Sequence, residues 1–257
     1  MFGHTGLGAV GDGGTAAALG AAETRMGRAP CAVLSVGGDT LSAMPVSSSP
    51  SGRVAIPVGH GQLEGIVREA TSPVAAAVVC HPHPRGGGTM NNNIVYRAAK
   101  ALVAGGVTAL RFNFRGVGAS TGSYDDGIGE EDDVRAAVDY LRMNAPGLPI
   151  WVAGFSFGAR VGLTVGARID DVTKLFGIGL ALEMFDYRFL ASCPKPKAII
   201  QASQDEYGAR DAIEAAVQEM SEPRRLWIVE GATHLFPGHL DAFERTAEEA
   251  VAWLQST

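Results

Sequence analysis

Gly154-Phe155-Ser156-Phe157-Gly158 sets a serine between two glycines, at the end of the apolar run Ile150–Phe155 and ahead of a stretch, Ala159 to Val165, that can be helical. On such a strand-to-helix turn the hydroxyl stands exposed, and glycine two residues to either side avoids collision with the neighbouring strand and helix. A serine hydroxyl is a weak nucleophile until a base removes its proton, and the base needs an acid to orient it. Both occur further along the chain. Asp205 follows the run Ala198–Ala202, and His234 follows Leu226–Val229 in Gly231-Ala232-Thr233-His234. Of the other histidines, His4 falls in the N-terminal segment, His60 in a leading hairpin and His239 in the expected last helix, which leaves His234 best placed as base. Glu206, Glu183 and Asp186 compete for the acid. Asp205 is preferred because a loop residue just beyond a strand can reach back across the strand ends.

Attack on a carbonyl would also create an oxyanion that needs donors. The amide of Phe157, next to the serine, is one. The loop after Val74–Cys80 reads His81-Pro82-His83-Pro84-Arg85-Gly86-Gly87-Gly88. Proline has no amide hydrogen, so His81, His83 and Arg85 are the available donors there, and His83 is favoured. A metal site at His81 and His83 is the lesser reading, since no acid or cysteine is spaced to complete a ligand set; no metal is expected. Gly116-Val117-Gly118-Ala119-Ser120-Thr121-Gly122 departs from a dinucleotide fingerprint at its third glycine and opens no helix directly. It reads as a turn carrying Arg115.

These groups need a scaffold that gathers strand ends. After Arg53, short β-rich runs alternate with helical periods, the pattern of a parallel sheet covered by helices. A hairpin, Arg53–Pro57 with Leu63–Arg68, leads into strands at Val74–Cys80, Val107–Phe112, Ile150–Phe155, Leu175–Gly179, Ala198–Ala202 and Leu226–Val229. Helical faces recur at Val134, Ala137, Val138 and Leu141, at Ile213, Ala216, Val217 and Met220, and at Phe243, Ala247, Ala250 and Val251. The acidic run Glu130–Asp133 reads as a solvated helix end. Residues 1–52 hold Gly, Ala and Ser without sustained periodicity and are expected to form a flexible tail, leaving one domain over 53–257.

Composition narrows the partners. In 257 residues, 21 Lys and Arg against 27 Asp and Glu give a net charge of −6, which offers no attraction for nucleic acid or anionic membranes. No apolar run reaches the roughly 18 to 20 residues of a membrane span. The N-terminus lacks the basic start of a secretory signal, and three scattered cysteines, Cys31, Cys80 and Cys193, suit reduced thiols, so a cytoplasmic protein is expected.

Taken together, His81-Pro82-His83-Pro84, Gly87-Gly88-Thr89-Met90, Asn113-Phe114-Arg115-Gly116-Val117-Gly118 and Gly154–Gly158, in this order, resemble the α/β-hydrolase superfamily. The likeness is to its compact bacterial serine hydrolases, among the dienelactone hydrolase-like and serine aminopeptidase-like members, and runs from about Ile56 to Leu254. It implies a three-layer α/β fold with helices on both faces of an eight-stranded, mostly parallel sheet whose second strand is antiparallel. It also implies a triad at Ser156, Asp205 and His234, and no cofactor. Between Gly179 and Lys197 the chain is too short for the helical lid of larger relatives, so an open site for a small acyl ester, thioester or amide is expected. Arg85, Phe185 and Tyr187, with Phe189, are candidates to line it. Acyl transfer by the same triad, and a non-catalytic binding protein on the same fold, are the competing readings.

Overall fold

The computed structural model describes residues 52–257. The flexible tail expected over 1–52 lies, but for its last residue, outside them, as does Cys31; Cys80 and Cys193 are buried thiols. Eight strands form one sheet: β1 (Gly52–Val58), β2 (Gly61–Arg68), β3 (Ala75–Cys80), β4 (Val107–Phe112), β5 (Ile150–Phe155), β6 (Val172–Ile178), β7 (Lys197–Ala202) and β8 (Arg224–Val229). Five helices connect them: α1 (Asn93–Ala104), α2 (Ile128–Asn144), α3 (Phe157–Arg168), α4 (Arg210–Gln218) and α5 (Leu240–Ser256). The strand order is β1-β2-β4-β3-β5-β6-β7-β8. Only β2 runs against its neighbours, pairing antiparallel with β1 and β4, while the rest pair in parallel.

Side chains alternate across the central strands, as strand geometry requires. Ala76, Val78 and Cys80 of β3, with Ile150 and Val152 of β5, join a core under α2, α3 and α4. Ala75, Ala77, Val79, Trp151 and Ala153 join a second core under α1 and α5. Burial on both faces explains the continuous apolar runs of β3 and β5. Parallel pairing points the ends of β3 to β8 one way, so the loops that follow them gather along one edge. No helix among the described residues is long and apolar enough to cross a membrane.

Two sequence expectations change. β6 and β8 begin earlier than expected because Thr173 and Lys174, and Arg224 and Arg225, hide their starts; on the edge strand β8 the arginines also discourage pairing with another sheet. More consequentially, Glu130 and Asp133 are not solvated: both are fully buried inside α2. Glu130 accepts the amides of Asp125 at 3.0 Å and Gly127 at 2.8 Å. Asp133 accepts from the amide of Arg115 at 2.9 Å and from its guanidinium at 2.7 Å, and bonds His60 Nε2 at 3.2 Å. A buried carboxylate is tolerable only when its oxygens are satisfied, and here the partners fasten the leading hairpin and the loop after β4 to α2.

The loop from β6 to β7 holds only a short 3-10 helix, Arg188–Ser192, in keeping with the expectation that it is too short for a helical lid.

Candidate active site

Ser156 occupies the tight turn between β5 and α3 with φ +57° and ψ −119°, a backbone state that side-chain-bearing residues rarely adopt. The turn is possible because its flanking positions are glycines. A Cβ on Gly158 would lie 2.5 Å from the Cys80 carbonyl oxygen, and one on Gly154 would lie 2.5 Å from the Gly158 carbonyl carbon. The end of β3 is thereby pressed directly against the first turn of α3.

Ser156 Oγ lies 2.9 Å from His234 Nε2. On the other side of the ring, His234 Nδ1 lies 2.8 Å and 3.0 Å from the two oxygens of Asp205. A carboxylate only accepts, so Nδ1 carries the proton and Nε2 is free to accept from the serine hydroxyl. All three residues are buried. The structure thus joins the three side chains singled out in the sequence into one hydrogen-bonded line, drawn from the loops after β5, β7 and β8.

Two residues that support this line escaped sequence reading in their roles. Gln201, fully buried in β7, donates from Nε2 to Asp205 at 2.8 Å and accepts the Leu180 amide at 2.8 Å. Its signal was available: it is the one uncharged polar side chain in the otherwise apolar run from Ala198 to Ala202. Glu206, weighed as a rival acid, instead accepts the amide of His234 at 3.1 Å. Burial opposes its ionisation, but amide bonds from its own backbone and His234, with the imidazole's charge, hold its carboxyl below the usual range. The second oxygen of Asp205 takes the amide of Tyr207 at 2.9 Å, and the Tyr207 ring meets the His234 ring edge-on at 4.9 Å. Tyr207 and Leu235, the latter next to His234 in the chain, are both exposed.

Across the serine lie the remaining candidates. No described residue accepts a hydrogen bond from the amide of Phe157 or of His83. The His83 ring lies 5.0 Å from that of Phe157, whose side chain is buried among aromatic rings that include Tyr124 and Phe185. His83 Nδ1 accepts the Arg85 amide at 3.1 Å, leaving its Nε2–H to face Tyr124 Oη at 3.1 Å. Burial and the Arg85 charge push the His83 imidazole below its ordinary pKa. Exposed Arg85 lays its guanidinium over the Tyr124 ring, 4.5 Å from the centroid. Phe185 and Tyr187 line an open hollow of ≈ 750 Å³ between the loop after β6 and α4. Tyr187 is otherwise a buried residue whose hydroxyl bonds the Ser156 carbonyl at 3.4 Å, and burial holds its phenol well above the usual pKa. It offers a ligand far less surface than the sequence suggested. Phe189 faces Arg160, whose guanidinium lies 5.5 Å from its ring centroid.

No family model matches the chain. An uncharacterized protein of Rickettsia prowazekii is 37% identical over 207 residues, which span 77% of this chain and 87% of that protein. The structure is similar to that of an alpha-beta serine hydrolase homologue from Coxiella burnetii, with a TM-score of 0.72 at 34% identity, covering 78% of this chain and 97% of the other. It is also similar to a serine hydrolase without lid from Xanthomonas campestris, with a TM-score of 0.74 at 31% identity, covering 83% and 100%. With this sheet order, short β6–β7 connection and likeness over nearly the whole length of both solved structures, the chain belongs to the α/β serine hydrolases of the α/β-hydrolase superfamily.

Proposed function

We propose that this hydrolase cleaves the ester, thioester or amide bond of a small acyl substrate through an acyl-enzyme on Ser156. The observation that carries the reading is the unbroken line from Ser156 Oγ through the His234 ring to Asp205, at 2.9 Å and 2.8 Å. Ser156 Oγ attacks the carbonyl carbon while its proton passes to His234 Nε2, and Asp205 stabilises the imidazolium through Nδ1–H. The amides of Phe157 and His83, free of other acceptors, donate to the oxyanion of the tetrahedral intermediate. As that intermediate collapses, the bond to the leaving group breaks and His234 returns the proton to it. Water then attacks the acyl carbon, giving a proton to His234; as this second intermediate collapses, the bond to Ser156 Oγ breaks, His234 returns the proton to Oγ, and the carboxylic acid leaves. The substrate's apolar part rests on Phe185, Tyr207 and Leu235, beside Arg85 at the mouth.

A fluorophosphonate probe is expected to label the wild type at Ser156 and to spare Ser156→Ala; equal labelling of both would remove the serine from the mechanism. The short β6–β7 loop supports small acyl groups. In a panel of p-nitrophenyl esters, acetyl and butyryl esters are expected to turn over at least about 10-fold faster than palmitoyl. The opposite order would overturn that assignment and leave the nucleophile untouched.

A further inference from the structure

His81 takes no part in the proton transfers above, yet both its ring nitrogens are engaged. Nε2 accepts the amide of Phe114 at 3.0 Å. A nitrogen that accepts carries no proton, so the neutral ring is protonated at Nδ1, which donates to the Pro82 carbonyl at 2.6 Å. The ring is fully buried and meets Phe114 edge-on at 4.8 Å. Burial, outweighing the bond to Pro82, takes its pKa down to about 4, so the imidazole stays neutral near pH 7 with this one tautomer.

The carbonyl it grips belongs to the Pro82–His83 peptide, which is trans. In a planar trans peptide the C=O and the N–H point in opposite directions, so fixing the one fixes the other. The loop also closes against this unit from behind. A Cβ on Gly88 would lie 2.6 Å from the Pro82 carbonyl carbon and 2.8 Å from the His83 oxygen, and the amides of Gly86 and Gly88 both reach the His83 carbonyl at 3.0 Å. Pro82 and Pro84 have no N–H with which to tie the loop themselves. An imidazole spanning from the Phe114 amide to the Pro82 carbonyl supplies the missing tie.

We infer that His81 is a positioning residue for the oxyanion hole: set by the Phe114 amide, its Nδ1–H holds the Pro82 carbonyl so that the His83 amide points at the developing negative charge. The inference rests on the hydrolytic role given above to Ser156. Because that charge exists only along the reaction path, loosening the peptide lowers kcat and leaves ground-state binding alone.

Three variants separate positioning from space-filling. His81→Ala removes both bonds. His81→Asn keeps an N–H near the position of Nδ1 and can still hold Pro82; His81→Gln keeps an acceptor near Nε2 for Phe114 and cannot. With p-nitrophenyl acetate, His81→Ala is expected to lose ~100-fold in kcat with KM changed less than about 2-fold, and labelling by fluorophosphonate slows by a similar factor. His81→Asn returns kcat to within about 10-fold of wild type, while His81→Gln stays with the alanine variant. A folded His81→Ala at wild-type kcat, or a glutamine rescue equal to that by asparagine, overturns the inference. A nitrogen NMR spectrum of the wild type requires no variant to fold: the Nδ1–H tautomer is expected at His81, and an Nε2–H tautomer overturns it. A wild type that neither hydrolyses esters nor takes the probe overturns the hydrolytic reading of Ser156 and this inference with it. Active wild type beside an unimpaired alanine variant overturns this inference alone.

Discussion

Beyond β7 and β8, the groups around Ser156 are side chains held by side chains: His234 on Asp205, and Asp205 on Gln201. Beyond β3 and β4 the groups proposed to work are backbone amides, and side chains enter as their supports, with His81 bonded to the Phe114 amide and the Pro82 carbonyl. In the proposed mechanism the first flank moves protons, so it needs titratable groups at hydrogen-bonding distance. The second, in the same proposal, steadies a charge that lasts only an instant, which fixed backbone dipoles do without reorganising. On this proposal a defect on the first flank is expected to stop the reaction, and one on the second to weaken it.

The largest expected effect falls on the proton-moving flank. Asp205→Asn keeps the shape of the carboxylate but favours the wrong tautomer of His234, and kcat is expected to fall by roughly 10⁴-fold with the melting temperature close to wild type. Steady-state kinetics beside a thermal melt checks this, and unchanged turnover would move the acid to Glu206 or Glu183.

The next effect is a stability signature of the amide flank. The His81 imidazole protonates near 6.5 in the unfolded chain and only near 4 when folded. Stability from keeping it neutral is therefore whole above pH 6.5 and is lost as pH falls through 4, about 3 kcal/mol in all. Urea unfolding across that range should show wild type losing this much more than His81→Asn; parallel curves would mean that His81 titrates normally.

The smallest effect returns to the first flank, one bond further from the serine. Gln201→Leu takes one donor from Asp205 and leaves the Leu180 amide without its acceptor. About 10-fold in kcat and about 1–3 kcal/mol of stability are expected to go, read by kinetics and denaturant unfolding. A stability loss with full activity would show that Gln201 supports the loop and not the carboxylate.

The same contrast explains what was legible in the sequence. Ser156, Asp205 and His234, which the structure joins in one hydrogen-bonded line, could be singled out because each is a residue type suited to that chemistry and each follows an apolar strand. Gln201 left a fainter mark as a polar residue at a buried strand position. Glu130 and Asp133 misled, because a run of four acids reads locally as a wet helix end. The partners that make their burial tolerable are distant in the chain: Arg115 is 18 residues from Asp133, and His60 is 73. His81 was visible only as a possible amide donor or metal ligand. What its ring does depends on where the Phe114 amide and the Pro82 carbonyl come to rest, which no local pattern encodes. Tyr187 was legible only as an aromatic residue beside the site; that it is also buried and bonds the Ser156 carbonyl depends on contacts that no local pattern encodes.

The short passage from β6 to β7 bears on when the reactive geometry is assembled. In an enzyme with a lid, closure completes the site anew with each substrate and can set the rate of turnover. Here the hydroxyl, imidazole and carboxylate already stand at bonding distance, and the loop from 179 to 196 contains nothing larger than the 3-10 helix Arg188–Ser192. The cost of ordering the site is met once, during folding, and does not recur in every catalytic cycle. What such an enzyme gives up is the chance to reject a poor substrate by failing to close around it.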